Sequence, residues 1–282
     1  MTHSKLPTFS CIGGPKCGSS WLHALLESHP DVFIPKELKE LHYFDEKFDR
    51  GAQWYAKFFD AMTTEQISGD ITPHYLYADP KRIFDFKTIE KLIIIYRDPV
   101  DRIVSHYKFR IRLDNYSGSF EDFLRDYPQA VEWSRYGKHL NNYLRFFRRD
   151  QFLILKFEHA TQNIEETRQQ LAEFLNLDLA LFPEDSGKQV VNAAFNPKNR
   201  KLYRFAKSAA KWMGDRGLYR IRNWLKNSNL TRKLLHSDGG KFDVKISEDT
   251  LDRLRNELTI DYQAFENLAQ IEIATQKSQQ SN

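Results

Sequence analysis

Cysteine is scarce: Cys11 and Cys17 are the only two in 282 residues. A disulfide scaffold has no partners to draw on, and a C-x5-C pair without clustered histidines is not a metal site. Both thiols are expected to be free, as in a reducing compartment. Long apolar runs are missing too. The longest is residues 92–96, far short of the ~20 residues that span a bilayer. Residues 1–8 are polar, which leaves no apolar leader. The expectation is a cytoplasmic bacterial protein, with a trimmed domain from a secretory-pathway protein as the alternative. Charge of one sign is not in excess, with 42 Lys and Arg against 38 Asp and Glu and a net charge of +4. That balance calls for no nucleic-acid partner and suits a small anionic ligand equally well. Repeats and low-complexity linkers are absent, so one domain over residues 1–274 is expected, with 275–282 as a disordered tail.

What is abundant is aromatic: 21 Phe, 13 Tyr and 5 Trp can fill a sizeable core. Residues 9–13 read as a buried strand ending in a glycine turn, and residues 19–27 as a helix stopped by Pro30. The run KLIIIYR at 91–97 is apolar throughout, as a central parallel strand is. Asp98 is placed to cap the helix that follows, with Pro99 at its first position. Helical spacing recurs at 136–148, 163–175 and 247–270, and a strand at 152–157. Such alternation predicts an α/β fold: a three-layer parallel sheet of P-loop type, with a helical, basic C-terminal extension over 196–245.

The first strand runs into Gly13-Gly14-Pro15-Lys16-Cys17-Gly18-Ser19-Ser20 and then a helix. A strand, a glycine loop and a helix start place backbone N–H groups and the positive helix end around an anion. Lys16 adds a full charge, and Ser19 and Ser20 add hydroxyls. In nucleotide triphosphatases the loop lysine immediately precedes the Ser or Thr that binds magnesium. Here Lys16 lies two residues before Gly18 instead. An ordinary serine-capped glycine turn would explain this loop alone. The second motif narrows the choice. The central strand ends in Arg97-Asp98-Pro99-Val100-Asp101-Arg102, with Ser105 and Tyr107 beyond. A kinase ends such a strand in Asp to hold magnesium. This one ends in Arg, whose planar fork grips phosphate directly. The bland alternative is that Arg97 pairs with Asp98 or Asp101 at the surface. Taken together, the motifs describe two anion sites at the carboxyl ends of parallel strands, and no metal.

Together GGPKCGSSWL and RDPVDRIVSHY resemble the 5′-phosphosulfate loop and 3′-phosphate motif of sulfotransferases that use 3′-phosphoadenosine 5′-phosphosulfate (PAPS). The likeness is to the carbohydrate branch, including the heparan sulfate enzymes and bacterial relatives, and it runs from about residue 9 to 177. It implies PAPS as co-substrate, held by Lys16, Gly18, Ser19 and Ser20 with Cys17 and Trp21 in the same loop, and by Arg97 and Ser105 at the 3′-phosphate. It implies transfer to a hydroxyl of a sugar, a glycolipid or another alcohol. A P-loop nucleotide kinase and an inactive nucleotide-binding module are the alternatives.

Between the motifs lies Lys39-Glu40-Leu41-His42-Tyr43-Phe44-Asp45, in which Glu40 and His42 are both capable bases for a hydroxyl proton. The resemblance assigns the base to Glu40, with Lys16 acting beside it. His42 and Lys39 then become substrate-site residues, and His42 as the base stays the alternative. Asp70-Ile71-Thr72-Pro73-His74-Tyr75 resembles a family segment near the acceptor; His74 and Tyr75 either contact a sugar there or belong to a capped turn with a core tyrosine. The family's lysine position holds Ile71, which removes a cation and argues against a heparan-like polyanion. In the basic stretch, Leu202, Phe205, Ala206, Ala209, Trp212 and Met213 fall on one helical face. That face would ordinarily cover the core. The functional readings are a loop closing over PAPS (Lys198, Arg200 and Lys201 being nearest), a groove for an acidic acceptor, or peripheral contact with anionic lipid.

Overall fold

A computed structural model describes residues 5–63, 66–188, 196–197, 200–218, 221, 225, 236–237 and 244–279. Five parallel strands form one sheet: β1 (Phe9–Cys11), β2 (Val32–Phe33), β3 (Ile67–Ile71), β4 (Lys91–Tyr96) and β5 (Phe152–Lys156). Their spatial order is β2-β3-β1-β4-β5. Cys11 stands beside Ile71 on one side and Ile93 on the other. The chain leaves β1 for the edge strand β2, returns through β3 to the flank of β1, and crosses to the other side with β4 and β5. The gap above the carboxyl ends of β1 and β4 is therefore the switch point at which open α/β sheets bind ligands.

The helices between strands are α1 (Ser19–Glu27), α2 (Ala52–Ala56), α3 (Pro80–Phe86), α4 (Pro99–Asp114), α5 (Phe120–Asp126), α6 (Gln129–Glu132) and α7 (Tyr136–Tyr143); α8 (Phe157–Gln162), α9 (Ile164–Leu175) and α10 (Arg200–Asp215) follow. As the spacing predicts, Asp98 caps α4, its Oδ1 accepting from the Val100 and Asp101 N–H groups at 2.9 Å each. The central strand is buried from Leu92 to Tyr96. Its isoleucines join Phe9, Leu22, Leu25, Tyr143, Leu171 and Phe265 in the main core. A second cluster gathers Val100, Ile103, Tyr107, Phe120 and Phe123 with Leu254 and Leu258 of the C-terminal helix.

The C-terminal part differs from the spacing in two ways. The last helix is Glu248–Gln279, longer than the spacing suggests. No Gly or Pro interrupts residues 270–279, and nothing there stops a helix. The apolar face of α10 does not cover the core: Phe205 is 73% exposed and Trp212 52%.

Candidate active site

The phosphate loop is shaped by contacts that only glycine permits. A Cβ on Gly13 would stand 2.6 Å from Ile94 Cα, so the loop leaves β1 pressed against β4. Gly18 has φ +92°, and a Cβ there would meet the Phe157 ring at 2.1 Å. Gly18 opens α1 with no side-chain cap, which leaves the first-turn N–H groups to an anion. Lys16 also takes left-handed backbone, at φ 72°. Its Nζ lies 4.0 Å from the Phe109 ring centre. Burial, then the charges of Arg112 and Lys39, lower its pKa to about 8. An anion placed there would raise it again.

A cleft of about 550 Å³ opens above this loop, lined by Lys16, Gly18, Ser19, Ser20, Trp21, Lys39, Glu40, His74, Arg97 and Ser105. Ten residues expected at the site thus share one cavity. Arg97 does not pair with Asp98 or Asp101. Its Nε donates to Glu158 Oε1 at 3.0 Å, and its guanidinium lies 5.6 Å from the Phe157 ring centre. Glu158 opens α8 directly after β5, so strand order brings it beside Arg97; nothing near Arg97 in the sequence announces it.

The other wall carries the candidate base. Lys39 Nζ donates to Ser20 Oγ at 2.5 Å and lies 3.5 Å from Glu40 Oε1. His42 stands behind Glu40: its Nδ1 is 2.9 Å from Asp45 Oδ2, and its Nε2 is 3.5 Å from Glu40 Oε2. Burial alone would raise the Glu40 pKa, but the His42 hydrogen bond and the Lys39 charge outweigh it and hold the carboxyl at about 2. Burial alone would lower His42, but Asp45 and Glu40 outweigh it and raise the imidazole to about 10. At neutral pH the two form an ion pair, Glu40 deprotonated and His42 protonated.

In the segment 70–75 the structure has the core tyrosine. Tyr75 is fully buried and makes no surface for a sugar. Its hydroxyl donates to Asp70 Oδ2 at 2.7 Å and accepts from the Tyr43 N–H at 2.8 Å. Thr72 Oγ1 likewise donates to Asp70 Oδ1 at 2.7 Å and accepts from the Leu41 N–H at 3.1 Å. Tyr55 donates a third hydroxyl to Asp70, at 2.8 Å. Asp70, itself buried, thereby ties the loop bearing Glu40 to the end of β3, and His42 turns through φ 53° between the two tethers. Ile71 is fully buried in β3, so no side chain from that position reaches the cleft.

Three further expected residues stand as follows. Cys17 belongs to the loop by its backbone, but its thiol is buried 3.5 Å from the Tyr136 hydroxyl. His42 does not line the cleft among the described residues, since Glu40 and Asp45 hold both its ring nitrogens. Arg200 opens α10, but its side chain, and all of Lys198, lie outside the described residues. His74 does reach the cleft; its ring meets Trp133 edge-on at 5.2 Å. Sequence reasoning missed Trp133, His106, Phe109 and Arg110, which complete the wall. The i, i+3, i+4 spacing of 106, 109 and 110 on α4 after Ser105 was the available signal. Trp133 had none.

Glu40, His42 and His74 bring their donor atoms within 4.8 Å of one another, as do His42, Asp45 and Glu46. A metal could use that spacing. A proton on His42 balances the same carboxylates without one.

A glycine loop with Lys16, a strand-end Arg97 and the Glu40 carboxylate thus line one cleft at the switch point of an α/β sheet. Residues 8–235 match the family described as Sulfotransferase domain, and the chain belongs to that family. It is similar to the mouse heparan sulfate glucosamine 3-O-sulfotransferase 5, at 31% identity over 189 residues, 61% of this chain and 54% of that one. It is also similar to the membrane-associated sulfotransferase kil1 of Dictyostelium discoideum, at 36% over 113 residues, 38% of this chain and 24% of that one. The chain spans about half the length or less of these relatives. A sulfotransferase from Alicyclobacillus acidocaldarius shares the fold, with a TM-score of 0.58, 23% identity and coverage of 74% of this chain and 92% of that one.

Proposed function

We propose that the chain transfers a sulfuryl group from PAPS to a hydroxyl, of a carbohydrate or a glycolipid. The observation that supports this is the cleft itself, whose lining brings together Lys16, the opening of α1, Arg97, Ser105 and Glu40. Lys16 and the first-turn N–H groups receive the phosphosulfate, and Arg97 with Ser105 receives the 3′-phosphate. The acceptor oxygen bonds to sulfur as the bond from sulfur to the 5′-phosphate oxygen breaks. The hydroxyl proton passes to Glu40, and adenosine 3′,5′-bisphosphate leaves with Lys16 balancing its charge.

Glu40 rather than His42 is the base in this reading. Both His42 nitrogens face carboxylates and the ring is held protonated, so it has no lone pair to offer. A carboxylate at about 2 is a weak base in the resting site. An alcohol becomes strongly acidic only as its oxygen bonds to sulfur, so a weak base that is always ionised suffices for a late proton transfer. Lys39, linked to both Ser20 and Glu40, aligns the two sides. His74 is the acceptor contact, and an acceptor less anionic than heparan sulfate is the reading carried over from the sequence, where Ile71 stands at the family's lysine position. No metal is needed in this reading. The protein acts in the cytoplasm of a bacterium, without a nucleic-acid partner.

The test is transfer of labelled sulfur from PAPS to a panel of heparan oligosaccharides, neutral glycosides and glycolipids, with Glu40→Gln as control. Label on a neutral glycoside or glycolipid, lost in the variant, supports the reading. Label retained in the variant removes Glu40 as base, and transfer restricted to heparan removes the acceptor reading.

A further inference from the structure

Six of the eleven exposed large apolar side chains among the described residues fall between residues 202 and 225: Leu202, Phe205, Trp212, Leu218, Ile221 and Leu225. Phe205 and Trp212 lie two turns apart on one face of α10, with Ala209 between. By sequence the same helix carries Arg200, Lys201, Arg204, Lys207 and Lys211 among these apolar positions, and Asp215 is its single acid. The Arg216 guanidinium stands 4.2 Å from the Trp212 ring. A helix that combines exposed aromatic and aliphatic residues with an excess of cations is built to lie in a lipid headgroup plane.

We infer that α10 docks this protein on an anionic bilayer surface, with Phe205 and Trp212 entering the acyl boundary and the basic residues held by lipid phosphates. The other uses of this stretch fit less well. The apolar face is too exposed to be core cover, and among the described residues none of 200–218 lines the cleft, as a groove or a cover over the nucleotide would. A second copy of the same helix would set like charges together, while an anionic membrane complements them. Arg200 follows Pro197 by three residues, at most roughly 11 Å of chain. The short strand Asn196–Pro197 lies against α4, the helix that borders the cleft. A docked bilayer would therefore lie close to the helix that carries Ser105 and Arg110.

The experiment is co-sedimentation of the full chain with vesicles of phosphatidylcholine alone or with one third phosphatidylglycerol. The anionic vesicles should bind at least about tenfold more strongly, and raised salt should erase most of that gain. Phe205→Ser/Trp212→Ser and Lys207→Glu/Lys211→Glu should each lose about tenfold or more, with unchanged thermal unfolding. Should the aromatic variant fail to fold, the charge variant carries the test alone. Equal binding to both vesicles, no binding, or variants that bind like the wild type would overturn the inference. So would a concentration-dependent dimer, formed without lipid, that the aromatic variant abolishes. Glu40→Gln should bind vesicles normally, so this result stands or falls apart from the proposed reaction.

Discussion

The loop over residues 13–20 and the loop over residues 39–45 face one cleft, and they are held by different means. The first keeps its shape because side chains are missing: Gly13 lies against β4 and Gly18 under the Phe157 ring, where any Cβ would collide. The second keeps its shape because side chains are present. Thr72 and Tyr75 accept its backbone N–H groups and pass the strain to one buried carboxylate, Asp70. Glycine-built loops tolerate no additions, and tethered loops tolerate no deletions. The anion cradle is thus a backbone device, while the position of Glu40 depends on a network that a single atom can break.

The largest effect should follow at Glu40. Glu40→Gln keeps shape and hydrogen bonding but removes the basic oxygen, so turnover should fall by about 10²–10⁴ while PAPS affinity stays within about threefold. His42→Ala measured in the same assay should lower turnover less; the reverse ranking would move the base to His42. Next comes the tether. Tyr75→Phe strips one donor from Asp70 and leaves the Tyr43 N–H without its acceptor, which should cost about tenfold in turnover with donor affinity unchanged. An equal loss in donor affinity would show that the two loops are not held independently.

A smaller effect should appear in stability against pH. His42 rises from 6.5 to about 10 on folding, so its contribution is complete below about 6.5 and is lost as pH climbs through about 10. Glu40 falls from 4.5 to about 2, so its contribution is complete above about 4.5 and is lost as pH drops through about 2. Thermal midpoints of wild type and His42→Asn should therefore converge near pH 10 and separate by a few degrees at pH 6. A constant separation would mean that the His42 charge does not matter. The smallest expected effect is that of excess chelator, which should leave turnover unchanged; loss of turnover restored by magnesium would return the kinase alternative.

The same contrast explains what could be read in advance. The glycine loop, the central strand and the Asp98 cap are local, and each stands in the structure where periodicity and residue type put it. Ser19, Ser20 and Arg97 meet in one cleft for the same reason, each at a strand end or the helix start beyond it, and Lys39, Glu40 and Ser105 join them at positions that the family resemblance, not local periodicity, pointed to. What could not be read is long-range. The Glu158 partner of Arg97 lies 61 residues away, and Trp133 enters from the end of the short helix α6. Tyr75 looked like a sugar contact because a tyrosine near a histidine is ambiguous until burial is known. Its partners, Asp70 and the Tyr43 backbone, are brought to it only by β3 and the turn after it. The exposed face of α10 was hidden by the same ambiguity, since an amphipathic pattern does not say what the apolar side meets.

The claim that the cradle reads a 3′-phosphonucleotide can be tested without knowing the acceptor, by calorimetry in chelator with adenosine 3′,5′-bisphosphate, adenosine 5′-monophosphate and ATP, on wild type and Arg97→Ala. Adenosine 3′,5′-bisphosphate should bind wild type about ten- to a hundredfold more tightly than the monophosphate or ATP. Arg97→Ala should erase most of that gap and leave the monophosphate nearly unaffected. Tighter binding of ATP once magnesium is added, or equal losses for both adenosine phosphates in the variant, would contradict it.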